Sequence, residues 1–320
     1  MILEETDVQG LIDRAQAVGI IERTYRAAAR GDAGVSVPSA LHLRGKTGAG
    51  AVFKVKGAVL DDLGVAGFRL IGDLDSPSGG GCSYTYLVDA STAAPIALVA
   101  EGALQRVRTA LTGLVACRAL APKHVATLAL IGTGRIAEEF VRCIDLVTPG
   151  HAILVASRST ERACAAAEKW RALTRSRIDA AASIKEAVAQ AEIVVTLSDA
   201  DERLFEAADL KPGALVCAMG GRREFDRDVL DAAEGFVVDE FDFVCSAGNG
   251  SHWLKSGQIT RAALESKVDA TIGEILLGRR QIQTTGVVLA IIQGMAVCDI
   301  ALATAVYNRA AAKKDEHRRS

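Results

Sequence analysis

The sequence lacks a dominant charge: 37 Lys and Arg stand against 39 Asp and Glu, a net of −2 over 320 residues. That balance gives no electrostatic footing for nucleic acid or for an anionic membrane surface. Apolar runs are short as well. The longest, Ala214 to Met219 and Val287 to Ile292, fall far below the roughly 20 residues of a membrane helix. The chain opens Met1-Ile2-Leu3-Glu4-Glu5 without a secretory pattern, so a cytoplasmic location is expected. Seven cysteines are scattered, odd in number and free of any C-x-x-C pair, which favours reduced thiols over disulfides or zinc. The five histidines have no metal-ligand spacing, so no metal is expected. A G-x-S-x-G elbow is missing, which removes the signature of one large hydrolase class. No internal repeat or low-complexity tract is visible.

What is there centres on Leu128 to Phe140, LALIGTGRIAEEF. An apolar run feeds Gly132-Thr133-Gly134, and Ala137 follows three positions later in a helix-forming stretch that begins Arg135-Ile136. This is the G-x-G-x-x-A form of the dinucleotide fingerprint. Its first glycine makes a tight turn, its second admits a pyrophosphate to the backbone, and its third small residue lets helix and strand pack. The helix N-terminus offers unpaired N–H groups to the phosphates. A second strand, His151 to Ala156, arrives at the spacing of one β-α-β unit.

Two stretches flank different architectures. Val8 to Arg30 reads as helix broken near Gly19, and Ala51–Leu60, Ala66–Gly72, Tyr84–Ala90 and Pro95–Ala100 read as strands joined by short turns, an antiparallel arrangement. Ala103 to Leu120 is helical. From Thr127 strands and helices alternate, which predicts a parallel sheet covered on both faces. Ile259 to Gly278 reads as mostly helical, Gln281 to Ala290 as a strand, and Gly294 to Ala312 as a last apolar helix before a frayed charged tail. The fold class is therefore α/β: a Rossmann-type doubly wound parallel sheet with a second α+β domain.

The end of the second strand selects the nucleotide. An acidic residue there suits the ribose diol of NAD, and an arginine suits the 2′-phosphate of NADP. Here Ile153-Leu154-Val155-Ala156 runs into Ser157-Arg158-Ser159, which favours NADP with NAD as the second choice. Ser198, after the fourth strand, is expected to line the cofactor at the carboxyl edge.

The order of short motifs resembles the ornithine cyclodeaminase and mu-crystallin family. They are Gly67-Phe68-Arg69, Arg108-Thr109-Ala110, the Gly132-Thr133-Gly134 turn, Gly220-Gly221 with Arg223-Glu224-Phe225-Asp226, Val237-Val238-Asp239, and Gly294-Met295-Ala296-Val297-Cys298-Asp299. The resemblance covers nearly the whole chain. It implies a homodimer in which residues 1–120 and 294–320 form the substrate-binding and dimerisation domain and 121–293 the NAD(P)-binding domain. It also implies that Arg69 and Arg108 grip a substrate α-carboxylate, that Arg108 and Thr109 border the nicotinamide, and that Lys56 lies at the edge of the substrate pocket. Departures from the family's cyclodeaminases matter. Ser39 follows Pro38 where they carry arginine, Arg69 replaces a lysine, and Gly220-Gly221-Arg222-Arg223 puts arginine where they carry an aspartate that handles the substrate amine.

Loss of ammonia needs a carboxylate to hold an ammonium, and two arginines repel one. The expected activity is therefore an NAD(P)H-dependent oxidoreductase acting on the C–N bond of an imino, ketimino or amino acid. A cyclodeaminase-type ammonia lyase and a non-catalytic crystallin-type binder are the alternatives. Lys56, two residues from Lys54 on one strand face, is a candidate proton donor, since neighbouring arginines ease loss of its proton. Asp299 interrupts an apolar helix and must find a partner, either a site cation or a core hydrogen bond. Lys56, Arg69 and Arg108, with Arg222, hold more positive charge than one carboxylate requires, which suggests a dianionic substrate.

Overall fold

A computed structural model of the chain describes residues 1–44, 52–73 and 83–319. Ala51, the turn expected over Ser76 to Gly81, and Cys82 lie outside them. The chain forms two compact units, Met1–Arg108 with the segment from Met295 onward, and Thr109–Gly294.

In the first unit the elements are β1 (Ile2–Leu3), α1 (Glu5–Leu11), α2 (Arg14–Arg30), β2 (Ala33–Val35), β3 (Leu41–Arg44), β4 (Val52–Leu60), β5 (Val65–Asp73), β6 (Tyr84–Asp89) and β7 (Pro95–Ala100), with α3 (Gly102–Leu120) beginning in this unit. The sheet order is β1-β7-β6-β5-β4-β2, with β3 also on β4. All pairings are antiparallel except that of β1 with β7. The helix break falls at Asp13 rather than Gly19. The Asp13 carboxylate caps α2 by accepting from the Gln16 N–H, and burial of Ala17, Val18, Ile21 and Tyr25 outweighs the propensity cost of one interior glycine.

Register sets the chemistry of this sheet. Lys56 pairs with Arg69, and Arg69 with Thr85, so the three stand in a row across β4, β5 and β6. Strand side chains alternate, and the opposite face presents Val59, Phe68, Leu70 and Leu98, all more than a third exposed.

The second unit contains β8 (Thr127–Ile131), α4 (Arg135–Val147), β9 (Ala152–Ala156), α5 (Thr160–Trp170), β10 (Ile178–Ala180), α6 (Ile184–Gln190), β11 (Ile193–Thr196), β12 (Leu215–Ala218), α7 (Arg227–Ala232), β13 (Ala233–Val238), α8 (Phe241–Val244), α9 (Gly248–Lys255), α10 (Arg261–Glu265), β14 (Ala270–Thr271), α11 (Ile272–Leu276) and β15 (Val287–Ile291). The sheet runs β10-β9-β8-β11-β12-β15-β13-β14, and every pairing is parallel. From β8 the chain winds outward through β9 and β10, then returns to the other side of β8 with β11. The winding therefore reverses between β8 and β11, where ligands bind in such sheets. Buried runs such as Ile193–Thr196 and Leu215–Ala218 are apolar on both faces apart from Thr196, as a covered parallel sheet requires.

The segment Ile259 to Gly278 is not one helix. Asp269 exchanges hydrogen bonds with Phe236, and Thr271 caps α11. The Asp269 side chain ties the chain to β13 and the Thr271 side chain starts a new helix, which leaves two short pieces. The last strand covers only Val287–Ile291, inserted between β12 and β13. β10, with its polar Asp179, was not anticipated because three residues give too little periodicity to read.

The final helix, α12 (Ala296–Arg319), belongs to the first unit. It packs on β4 and β5 and against α2, burying Ile300, Leu302 and Val306, and stays helical past Ala312 where fraying was expected.

Candidate active site

In the first unit, α12 brings Asp299 to the sheet face that carries Lys56 and Arg69, and the first turns of α3 bring Arg108 to the same carboxylate. Arg69 Nη1 donates to Asp299 Oδ1 at 2.9 Å and Arg108 Nε to the same oxygen at 2.5 Å. Glu101, the residue between β7 and α3, completes the cluster. Its Oε2 lies 3.0 Å from Arg69 Nη2, an ionic contact too bent for a hydrogen bond, and its Oε1 accepts from the Thr85 hydroxyl. None of Lys56, Arg69, Arg108, Glu101 or Asp299 is more than 4% exposed. Asp299 thus binds two site cations.

The two carboxylates differ. Burial pushes Asp299 up, but Arg108, Arg69 and Lys56 together hold it below its ordinary value of 3.8. Burial raises Glu101 above 4.5, with Arg69 opposing and Asp299 adding to the rise. Arg108 is disfavoured by burial, yet Asp299 and other nearby groups leave it more firmly protonated than usual. A carboxyl whose folded value is raised stabilises the fold fully below its unfolded value, and that contribution is lost as pH rises through the folded value. Glu101→Gln removes this titration. Wild type is expected to lose stability relative to Glu101→Gln as pH rises from about 4.5, measured by urea unfolding across pH; a constant difference would show that Glu101 does not titrate there.

In the second unit, Ile131, Gly132, Thr133, Gly134, Ser157, Arg158, Ser159 and Ser198 line a cleft of about 730 Å³ at the carboxyl edge of β8, β9 and β11. Arg135 and Ile136 open α4 but do not line it, and Thr109 is half-buried on α3. Gly132 has φ +128°, and a Cβ there would lie 2.3 Å from the Leu197 carbonyl oxygen. Gly134, at the N-cap of α4, has no atom within 4 Å of where a Cβ would be, and no side chain caps that helix. This open space before unpaired N–H groups fits a pyrophosphate.

The β9 exit is already hydrogen-bonded within itself. The Ser157 hydroxyl donates to the Ser159 carbonyl, and Ser159 Oγ accepts from the Arg162 N–H while donating to Glu161. Arg158 Nη1 lies 2.9 Å from Glu202 Oε1.

Beneath the cleft, buried Glu224 accepts from Thr196 Oγ1, from the Ser198 N–H and hydroxyl, and from the Gly220 N–H. It joins the ends of β11 and β12 and fixes Ser198. Burial raises its carboxyl despite those donors. Asn249 Oδ1 in turn accepts from the Glu224 and Phe225 N–H groups. Glu101 and Glu202 belong to none of the motifs read from the sequence, and Glu224 enters there only as part of a family motif. For Glu101 a signal existed, a single acid in the apolar stretch LVAEGAL, the same signal that marked Asp299. Arg222 is exposed and belongs to the second unit, and Arg223 pairs with Asp226. Among the described residues no cluster of potential metal ligands occurs.

The pattern of the ornithine cyclodeaminase/mu-crystallin family matches residues 1–314, and the chain belongs to that family. It is 29% identical over 319 residues to an uncharacterized cyclodeaminase, y4tK, of Sinorhizobium fredii, covering 97% of this chain and 95% of that protein. It is 25% identical to the alanine dehydrogenase of Archaeoglobus fulgidus, covering 98% and 96%. The structure of Thermococcus litoralis Δ1-pyrroline-2-carboxylate reductase in complex with NADH and L-proline superposes with a TM-score of 0.87 over 98% of both chains at 20% identity, which shows a shared fold.

Proposed function

We propose that the protein is a nicotinamide-dependent oxidoreductase that reduces the C=N bond of an imino or ketimino acid, or runs the reverse oxidation of an amino acid. The observation that carries this reading is the Arg69–Asp299–Arg108 cluster, in which Arg69 Nε and Asp299 Oδ2 are buried without a hydrogen-bond partner among the described residues. Leaving such groups unmet costs about 1–3 kcal/mol each, so a ligand or ordered water is expected to meet them. An amino or imino acid offers a planar carboxylate for guanidinium donors and a nitrogen whose proton a carboxylate oxygen accepts. The bound nicotinamide supplies the hydride. Arg69 and Arg108 hold the substrate carboxylate, Asp299 fixes both guanidinium groups, and Lys56 on the same sheet face gives the proton to nitrogen.

Charge bears on the substrate. Three cations against Glu101 and Asp299 leave one positive charge when both acids are ionised, which suits a monocarboxylate. A dianionic substrate is matched when Glu101 binds a proton, toward which burial pushes it. NADP is the preferred nucleotide, with Arg158 the residue for its 2′-phosphate, and NAD is accepted. Thr133, Arg135 and Ile136 at the start of α4 would hold the pyrophosphate with Gly132 and Gly134, and Ser198 and Thr109 would serve the nicotinamide end.

The first unit is the substrate and dimerisation domain. Its open apolar face (Val59, Phe68, Leu70 and Leu98) favours a homodimer, and the second unit is the nucleotide domain. No helix among the described residues is long and apolar enough to cross a membrane. With six free cysteines among the described residues, a cytoplasmic location is proposed.

The test is NADPH consumption with oxo acids plus amines and with cyclic imino acids, run against NADH. Turnover is expected, and Arg108→Ala is expected to lower kcat/KM by about 10- to 100-fold, the loss of one charged hydrogen-bonding partner, while nucleotide binding persists. Full activity in that variant would remove the clamp. Ammonia release from a diamino acid without net change in nicotinamide would point instead to a lyase, and tight nucleotide binding without any turnover to a binder.

A further inference from the structure

Arg158 lines the nucleotide cleft, and its guanidinium is paired with Glu202, a residue outside that lining. Arg158 lies two residues past the end of β9, and Glu202 lies six past the end of β11. Both strands pair with β8, Ala156 and Thr196 each in register with Ile131. β9 and β11 therefore stand on either side of β8, two strand spacings or about 9–10 Å apart. The Arg158–Glu202 pair joins the loops that leave them, on either side of the Gly132-Thr133-Gly134 turn.

We propose that Glu202 is a specificity-determining residue: it competes with the adenosine 2′-phosphate of NADP for Arg158 and so sets how far the protein prefers NADP over NAD. This rests on the dinucleotide reading of the cleft. Arg158 carries a guanidinium that can be shared between two anions or committed to one. While Glu202 holds it, a 2′-phosphate must displace the carboxylate or accept a shared, weaker partner and stand near a negative charge. NAD brings a neutral diol and leaves the pair intact. The nearby hydroxyls do not substitute for the arginine, because Ser157 and Ser159 are engaged with their own loop and with Glu161. Glu161, in the first turn of α5, adds a second carboxylate three residues past Arg158, held below its ordinary value by the Ser159 hydroxyl and therefore charged at neutral pH. Lys169 is committed to Glu138. Arg158 and Glu202 are both more than half exposed, so the competition is moderate and weakened by salt.

The experiment measures NADPH and NADH dissociation constants, by nucleotide fluorescence on the full-length protein, for wild type, Glu202→Gln, Arg158→Ala and the double variant. Glu202→Gln is expected to tighten NADPH by about 2- to 5-fold at low salt and to leave NADH within about 1.5-fold, the scale of one exposed charge pair. In the Arg158→Ala background the same substitution is expected to give no such gain, because the residue competed for is gone. Equal changes for both nucleotides, or a gain that persists without Arg158, would overturn the proposal while leaving the nucleotide site standing. Wild-type protein that binds neither nucleotide would instead remove the dinucleotide reading, and this inference with it.

Discussion

Asp299→Ala is expected to destabilise the protein by about 3–5 kcal/mol, the cost of removing one partner from a buried ionic cluster. Two guanidinium groups, Arg69 and Arg108, donate to a single oxygen of this residue inside a unit that buries all three. Without it, Glu101 is the remaining acid of the cluster beside Arg69 and Arg108, and its carboxyl is itself pushed toward its neutral form. Asp299→Asn separates charge from shape, since the amide oxygen still accepts but carries no charge. The folded value of Asp299 lies below 3.8. Its ionic contribution is therefore present above that unfolded value and is lost as pH falls through the folded one. The gap between wild type and Asp299→Asn should be full near neutrality and should close in strong acid, read by urea unfolding at several pH values. A gap that stays constant into strong acid would mean that ionisation of Asp299 is not what holds the arginines.

Gly132→Ala is expected to cost roughly 2–5 kcal/mol, combining an unfavourable φ with overpacking, and to abolish nucleotide binding. Its Cβ would be driven into the Leu197 carbonyl at the place where β8 and β11 diverge. Relief requires those strand ends to part, which deforms the crevice itself. Gly134→Ala should behave differently. Its backbone is extended (φ −83°, ψ 178°) and the space around it is empty, so the variant should fold with near-native thermal stability yet lose nucleotide affinity, because the methyl group occupies the approach to the N–H groups of α4. Equal melting temperatures for the two variants, or undiminished NADPH binding by Gly134→Ala, would contradict this account of the turn.

Much of the second unit was legible in sequence because its signals are local. A glycine turn has steric requirements written in three residues, and buried parallel strands are apolar runs whatever surrounds them. Boundaries failed where a side chain intervened from a distance, as when Asp269 pins its segment to β13 and breaks an expected helix. Asp13 is a milder case, since a carboxylate three residues before its N–H partner overruled the glycine that looked like the break.

By itself the sequence determined the dinucleotide turn, the alternation that builds a parallel sheet, and the presence of charged residues in apolar contexts. Those features depend on residues within about one turn or one strand of each other. Only the tertiary structure decided that Arg69, Arg108 and Asp299 share one oxygen, that Glu101 joins them, and that Glu202 reaches Arg158. These partners are brought together by strand register and by the return of α12, up to 230 residues along the chain. Coulombic and hydrogen-bond energies depend on distance in space, and no periodicity in the sequence encodes it.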